Sequence, residues 1–345
     1  MADVMEHMET KIEIAHIINN IGILDLYAFF RRWFTKSQVV IMMYHRVCPK
    51  KDNWSLASIN PEVFEEQIQY FCRNYEILSL EELTGYIKQG KRLPEKAAAF
   101  TFDDGYLDNY QYAYPVLNKY HVPAVIFLTT GHISSDKLFW FDKVSYIIHH
   151  TNKSHLNLDE LGEYSLQAGT ENNISAKITE GLKQINEDRK NFLIDKLKVI
   201  ADVDIPSGLG KELILSWNNV REMNSKDIIF GAHTVNHPIL ANMPLPLARW
   251  EIIQSKKDIE KEIGKEVNIF SYPNGRFRDY SPKIVDFIME SKFACAVSVS
   301  PQKLINSDAN VYTLGRIGAL QDFKMFKVEL CGLWGDIKPI IKKRS

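Results

Sequence analysis

The run Lys96-Ala-Ala-Ala-Phe-Thr-Phe-Asp-Asp-Gly105 constrains the fold more than any other stretch of this 345-residue chain. Ala97 to Phe102 are small, apolar or β-branched and carry no charge, which is the pattern of a strand buried on both faces, as in parallel sheets covered by helices. Gly105 permits a sharp exit. Asp103 and Asp104 therefore stand at the strand's C-terminal end, the edge of an α/β sheet where ligands bind. Two adjacent carboxylates ionise together only with a cation or donors beside them. The pair reads either as a metal ligand next to a general base or as a solvated Asp-Asp-Gly turn.

About 130 residues downstream, the apolar run Ile228 to Phe230 opens through Gly231-Ala232 into His233-Thr-Val-Asn-His237. Two histidines four apart are expected on one helical turn, facing the same way, at the spacing a metal requires of two imidazoles. With one carboxylate they make a three-ligand site that leaves positions open, an arrangement suited to catalysis rather than structure. Elsewhere helical and strand patterns alternate. Helices are expected after Pro61, from the Ser79 cap to Ile87, at Tyr114 to Tyr120, at Trp217 to Met223 and at Pro246 to Ile263; strands are expected at Tyr75 to Leu78, Pro123 to Leu128, Val267 to Phe270 and Ala294 to Val299. Such alternation predicts α/β packing, with about seven strand and helix pairs. The two chemical motifs are much further apart than the roughly thirty residues of one βαβ unit. A largely helical insertion, residues 132–215, is therefore expected between them, as a lid or substrate wall, with His132, His149, His150 and His155 solvated.

Thr101-Phe-Asp-Asp-Gly105 and His233-Thr-Val-Asn-His237 resemble the first and second motifs of the NodB-type polysaccharide deacetylases, and the likeness runs from about Val39 to Leu320. The resemblance implies a distorted (β/α)7-like barrel and a metal-dependent hydrolase that removes N-acetyl or O-acetyl groups from a sugar or polysaccharide. It makes Asp103 the base and Asp104, His233 and His237 the metal ligands, with zinc expected first and cobalt, nickel or iron as alternatives. The family's usual acid is a histidine near the C-terminus, and this chain has none after His237. His45, delivered to the C-terminal end of the strand-like Gln38 to Arg46, takes that role. The third motif is matched in part by Ser271-Tyr-Pro-Asn-Gly275: the family's arginine is replaced by Ser271, and Arg316 is the candidate to orient Asp103, with a structural ion pair as its alternative. The backbone N–H of Asn274 is expected to face the oxyanion, and Tyr44, Thr129, Tyr272 and Pro273 to contact substrate. The missing arginine leaves hydrolysis of another non-peptide C–N bond, of the cyclic-amide type, as an alternative, and an inactive carbohydrate-binding homologue as a second.

A formal net charge of -1 excludes electrostatic capture of nucleic acid. Cys48, Cys72, Cys295 and Cys331 are too scattered for a zinc knuckle or disulfide scaffold, and fit a reducing, cytoplasmic compartment. Residues 1–37 have an amphipathic helical pattern whose longest uncharged stretch is too short to span a bilayer. They are expected to pack on the barrel domain (38–335) or, alternatively, to touch a membrane surface through Phe29, Phe30, Trp33 and Phe34 beside Arg31, Arg32 and Lys36. Residues 336–345 read as a basic tail.

Overall fold

Alternate residues of the apolar strands face two different cores. In the computed structural model, which describes residues 38–49, 54, 58–225, 227–299 and 304–330, Val39, Ile41, Ala97, Ala99, Val125, Phe127, Ile269, Cys295, Val297 and Leu314 form one buried cluster. Their neighbours Val40, Met42, Ala98, Phe100, Ile126, Leu128, Phe230, Phe270 and Ala296 belong to another. The first cluster is the interior of a barrel and the second lies between the barrel and its helices. This is the period-two consequence of strands buried on both faces.

The strands are β1 (Gln38–Tyr44), β2 (Glu76–Ile77), β3 (Lys96–Phe102), β4 (Ala124–Leu128), β5 (Ile228–Ala232), β6 (Ile269–Ser271), β7 (Cys295–Ser298), β8 (Leu304–Ile305), β9 (Leu314–Gly315) and β10 (Ile317–Gly318). β1, β3, β4, β5, β6 and β7 pair side by side, all parallel. β9 pairs with β7, through Val297 and Leu314, while β10 pairs with β1, through Met42 and Ile317. Only Arg316 separates β9 from β10, so this short segment bridges the two edges as the seventh stave of a nearly closed barrel. The fold is the expected distorted (β/α)7-like barrel.

Helices α1 (Pro61–Asn74), α2 (Leu80–Lys88), α3 (Tyr114–Tyr120), α4 (Trp140–His150), α5 (Glu171–Leu182), α6 (Glu187–Ala201), α7 (Leu209–Leu213), α8 (Trp217–Met223), α9 (Leu245–Ile263), α10 (Pro282–Glu290) and α11 (Phe323–Leu330) complete the described residues. Phe64, Ile68 and Phe71 of α1 pack on the outer face of β1 and β3, each burial contributing about 1.5–3 kcal/mol. Leu80, Leu83 and Ile87 of α2 belong to the interior cluster and plug the barrel below the site. Capping boxes start α2 at Ser79 with Glu82 and α8 at Ser216 with Asn219. The charged stretch of the insertion forms two helices, α5 and α6, the second started by Asn186, whose side chain accepts from the Arg189 N–H. α4 to α7 and the hairpin His155–Asn157 with Glu163–Ser165 make up the insertion. It has a core of its own, with Val144, Ile147, Leu156, Ile178, Leu193 and Leu197 among its buried members. The readings of residues 1–37 and 336–345 lie outside the described residues, among which no helix is long and apolar enough to cross a membrane.

Candidate active site

The inward parity of the strands carries the polar residues to one place. On β3 the series Ala97, Ala99, Thr101 ends in Asp103, and the same alternation directs His45 beyond β1, His233 beyond β5, Ser271 on β6 and Arg316 at the seam. Arg316 is 1% exposed and meets Asp103 with two parallel hydrogen bonds, Nη1 to Oδ1 and Nη2 to Oδ2, both 2.7 Å. It also donates to Thr101 Oγ1 at 3.1 Å and to Ser271 Oγ at 3.1 Å. The small Ser271 thus lies beside a guanidinium that arrives from the seam, two strands along from β6. Burial opposes the charge on Asp103, yet Arg316 beside it holds its carboxyl well below the usual range. Asp103 is ionised throughout the physiological range. His45 Nε2 stands 4.0 Å from Asp103 Oδ2, and its side chain, 27% accessible, is the part of the site open to solvent.

Asp104 turns the opposite way. It and Gly105 both have positive φ, 74° and 78°, so the chain reverses within two residues; a Cβ on Gly105 would meet Leu128 Cδ2 at 2.8 Å. Nε2 of His233 and Nε2 of His237 each lie 3.4 Å from Asp104 Oδ1. The three ligand atoms fall within 4.8 Å of one another, and all three residues are buried. The expected helical turn is absent. His233 to His237 form a loop with left-handed backbone at Thr234 and His237, φ 68° and 55°, and it is this bend that turns both imidazoles inward. Asn274, φ 59°, follows the same pattern in the third motif. Non-glycine residues in this region cost free energy that the surroundings must offset, and such residues cluster at functional sites. Here the support is Glu251 of α9, whose carboxylate accepts from the Val235 and Asn236 N–H groups at 2.8 and 2.9 Å and from Asn236 Nδ2 at 2.8 Å. Sequence reading passed over Glu251; its signal was a charged residue on the face of α9 that also carries the buried Ala248, Ile252, Ser255 and Ile259.

The triad fits a divalent cation. Both Asp104 oxygens are buried without a hydrogen-bond partner, and an isolated buried carboxylate is costly unless paired or bound to metal. His233 Nδ1 is engaged by the Ser271 carbonyl at 2.7 Å, which fixes the ring and leaves Nε2 free for the ion. Burial pushes His237 down to about 3, so it is held as the neutral imidazole that a metal binds. One carboxylate and two imidazoles leave coordination positions open.

Two of the four expected substrate contacts, Tyr44 and Tyr272, are turned away from the site. Tyr44 is 1% exposed and donates to Gln67 Oε1 at 2.9 Å between Phe64 and Phe102, because its parity on β1 points it outward, away from the site. Tyr272 is also buried, stacked on Tyr280 and donating to the Tyr312 carbonyl at 3.0 Å. Thr129 is buried with its hydroxyl on the His233 carbonyl at 3.3 Å, and Pro273 is buried too. The insertion reaches the triad. Phe139 and Phe141 set their rings against His237 at 5.6 and 5.4 Å. His132, expected in solvent, is buried and stacked on Phe139 at 4.2 Å.

Asp142, on α4, is buried and accepts from the Tyr106 hydroxyl at 2.7 Å. Burial pushes its carboxyl up to about 7 against the pull of the Arg46 guanidinium. A folded-state value above the unfolded one, about 4, means that this contribution to stability is full below about pH 4 and is lost as pH rises to about 7. Asp142→Asn is expected to flatten the pH dependence of the metal-stripped protein in that window, where each pH unit is worth at most about 1.4 kcal/mol. Denaturant unfolding at pH 5 and pH 8 checks this; identical slopes in the two proteins would refute it.

Comparison with known proteins bears on the fold and the family. YxkH of Bacillus subtilis (strain 168), named after the polysaccharide deacetylases, is 22% identical over 282 residues, covering 81% of this chain and 71% of its own. The poly-β-1,6-N-acetyl-D-glucosamine N-deacetylase of Staphylococcus epidermidis is 30% identical over 185 residues, covering 50% of this chain and 58% of its own. The chain therefore spans little more than half of that relative. Among solved structures, IcaB from Ammonifex degensii superposes with a TM-score of 0.56 at 18% identity, over 86% of this chain and 97% of that one, a likeness of fold. Residues 90–288 match the family model for polysaccharide deacetylase, and the chain belongs to that family of carbohydrate-deacetylating enzymes.

Proposed function

We propose that this protein is a metal-dependent hydrolase that removes N-acetyl groups from an amino-sugar polymer. The carrying observation is the juxtaposition of the Arg316-clamped Asp103 with the Asp104, His233 and His237 triad. A base held ionised beside three convergent ligands is what hydrolysis of an unactivated amide requires, and a site that only bound sugar would have no use for Asp103. A divalent ion at the triad, zinc first among the candidates, supplies a Lewis acid for the acetyl carbonyl and acidifies water. Asp103 accepts the proton of the attacking water. Arg316 keeps that carboxylate oriented, and Thr101 and Ser271 keep Arg316 in plane. The Asn274 N–H faces the oxygen that gains charge, and His45, at the solvent side, donates a proton to the departing sugar amine.

The name of the Staphylococcus epidermidis relative makes β-1,6-linked N-acetylglucosamine the first substrate to test. The zinc-loaded protein is expected to release acetate from such oligomers. Treatment with EDTA should abolish release, and readdition of zinc, cobalt, nickel or iron should restore it to different extents. A metal-loaded chain that released no acetate from any acetylated sugar but opened a cyclic amide would replace this reading with the alternative one.

A further inference from the structure

We infer that a cavity beside His45 is a saccharide subsite, holding the sugar unit next to the one being deacetylated; the inference rests on the deacetylase reading. The cavity has a volume of about 310 Å³ and is lined by Arg46, Trp54, Asp108, Gln111, Tyr112 and Glu212 among others. That is the lower end of the range for small-molecule pockets, about 300 to 1,000 Å³, which suits one sugar ring. Its walls leave the barrel at the active edge: Arg46 directly follows His45, Asp108 to Tyr112 follow the Asp103-Asp104-Gly105 turn, and Glu212 closes the insertion. The wall is tied to the proposed acid, since Asn109 Nδ2 donates to the His45 carbonyl at 2.7 Å. Tyr106 is the partition on the metal side. Its ring has the Arg46 guanidinium at 5.3 Å and Phe139 at 5.6 Å, and Phe139 in turn touches His237.

The lining has the chemistry of a carbohydrate site. Arg46 is 4% exposed and its Nε is committed to Asp108 Oδ2 at 2.7 Å, but its Nη1 has no hydrogen-bond partner among the described residues. A buried donor without a partner is costly, and a sugar hydroxyl would satisfy it. Gln111 offers a donor and an acceptor, Glu212 an acceptor, and Trp54 and Tyr112 add aromatic surface, the Trp54 ring with the Arg46 guanidinium 6.0 Å from its centroid. Trp54 is held from the insertion: Ser145 Oγ donates to its carbonyl, and the Tyr146 ring meets it edge-on at 5.5 Å. One guanidinium against two carboxylates disfavours an anionic ligand. Direction matters as well. The amine that His45 protonates stays on the sugar, so the polymer lies on the His45 side of the scissile bond, and Arg46 of the cavity wall directly follows His45.

The test compares a tetramer with a monomer of β-1,6-linked N-acetylglucosamine, using the full zinc-loaded chain for kcat/KM and the EDTA-treated chain for Kd by calorimetry. The wild type is expected to favour the tetramer at least about tenfold in both measurements. Trp54→Ala, Gln111→Ala and Glu212→Gln should each bring that ratio toward one; Gln111 and Glu212 are exposed, so those two variants test the cavity without disturbing the core. A wild-type ratio of one, or variants that keep the preference, overturns the subsite. If no acetate is released while the Kd preference exists and disappears in the variants, the subsite stands and the deacetylase reading fails.

Discussion

Replacing His233 or His237 by alanine is expected to empty the metal site and reduce deacetylation to background. The expectation follows from the donor count. With Asp104 the two histidines are all the ligands that the described residues bring together, and a three-ligand site has no spare donor. Loss of support around a ligand typically costs about tenfold to a hundredfold in metal affinity, and loss of the ligand itself costs more. The variants should nevertheless fold. The turn at His233 to His237 is anchored by Glu251 through backbone N–H groups and the Asn236 amide, none of which the substitutions remove. Elemental analysis of purified protein decides the matter. One tightly bound metal per chain in both His233→Ala and His237→Ala would show that the site is elsewhere, whatever the residual activity. Asp104→Ala should behave like them in metal content.

Much of this site was legible because strand alternation is a local property. Ala97, Ala99 and Thr101 fix the face on which Asp103 emerges, and Val39 and Ile41 do the same for His45. The same rule, applied one residue at a time, places Tyr44 and Tyr272 on the outer face; reading them by their closeness to motif residues put them in the groove instead. Other features were not local. The bend of His233 to His237 depends on left-handed residues stabilised by Glu251, which lies on another element, so the spacing of two histidines four apart suggested a helix that does not form. The arginine that clamps Asp103 comes from the seam between β9 and β10, more than two hundred residues beyond its partner. A strand of two residues broken by a buried charge carries almost no periodic signal. What pointed to Arg316 was the vacancy at Ser271, a chemical need rather than a pattern. Phe139 and Phe141 of the insertion meet His237, a contact between distant elements that no local pattern encodes.

His45→Ala is expected to lower turnover about a hundredfold to ten-thousandfold while leaving metal content intact, the signature of a lost general acid. Several observations converge on His45. Its backbone carbonyl is fixed by Asn109, its Nε2 is 4.0 Å from the base, and among the histidines of the site it is the one partly open to solvent, where a leaving sugar must depart. His233 and His237 are committed to the triad. His132 cannot substitute: burial against Phe139 pushes it down to about 4, so it carries no proton to give near neutral pH. The amine leaves as a strong base, and without a donor the tetrahedral intermediate returns to amide instead. The effect should therefore fall on kcat more than on KM, and the basic limb of the rate profile should vanish, because a protonated acid is no longer part of the rate-limiting form. An activated ester, whose leaving group needs no proton, should be hydrolysed nearly as well by His45→Ala as by the wild type. Equal losses on ester and amide would assign His45 to binding or to the orientation of Asp103. Wild-type turnover on an acetylated amino sugar would remove it from the mechanism altogether.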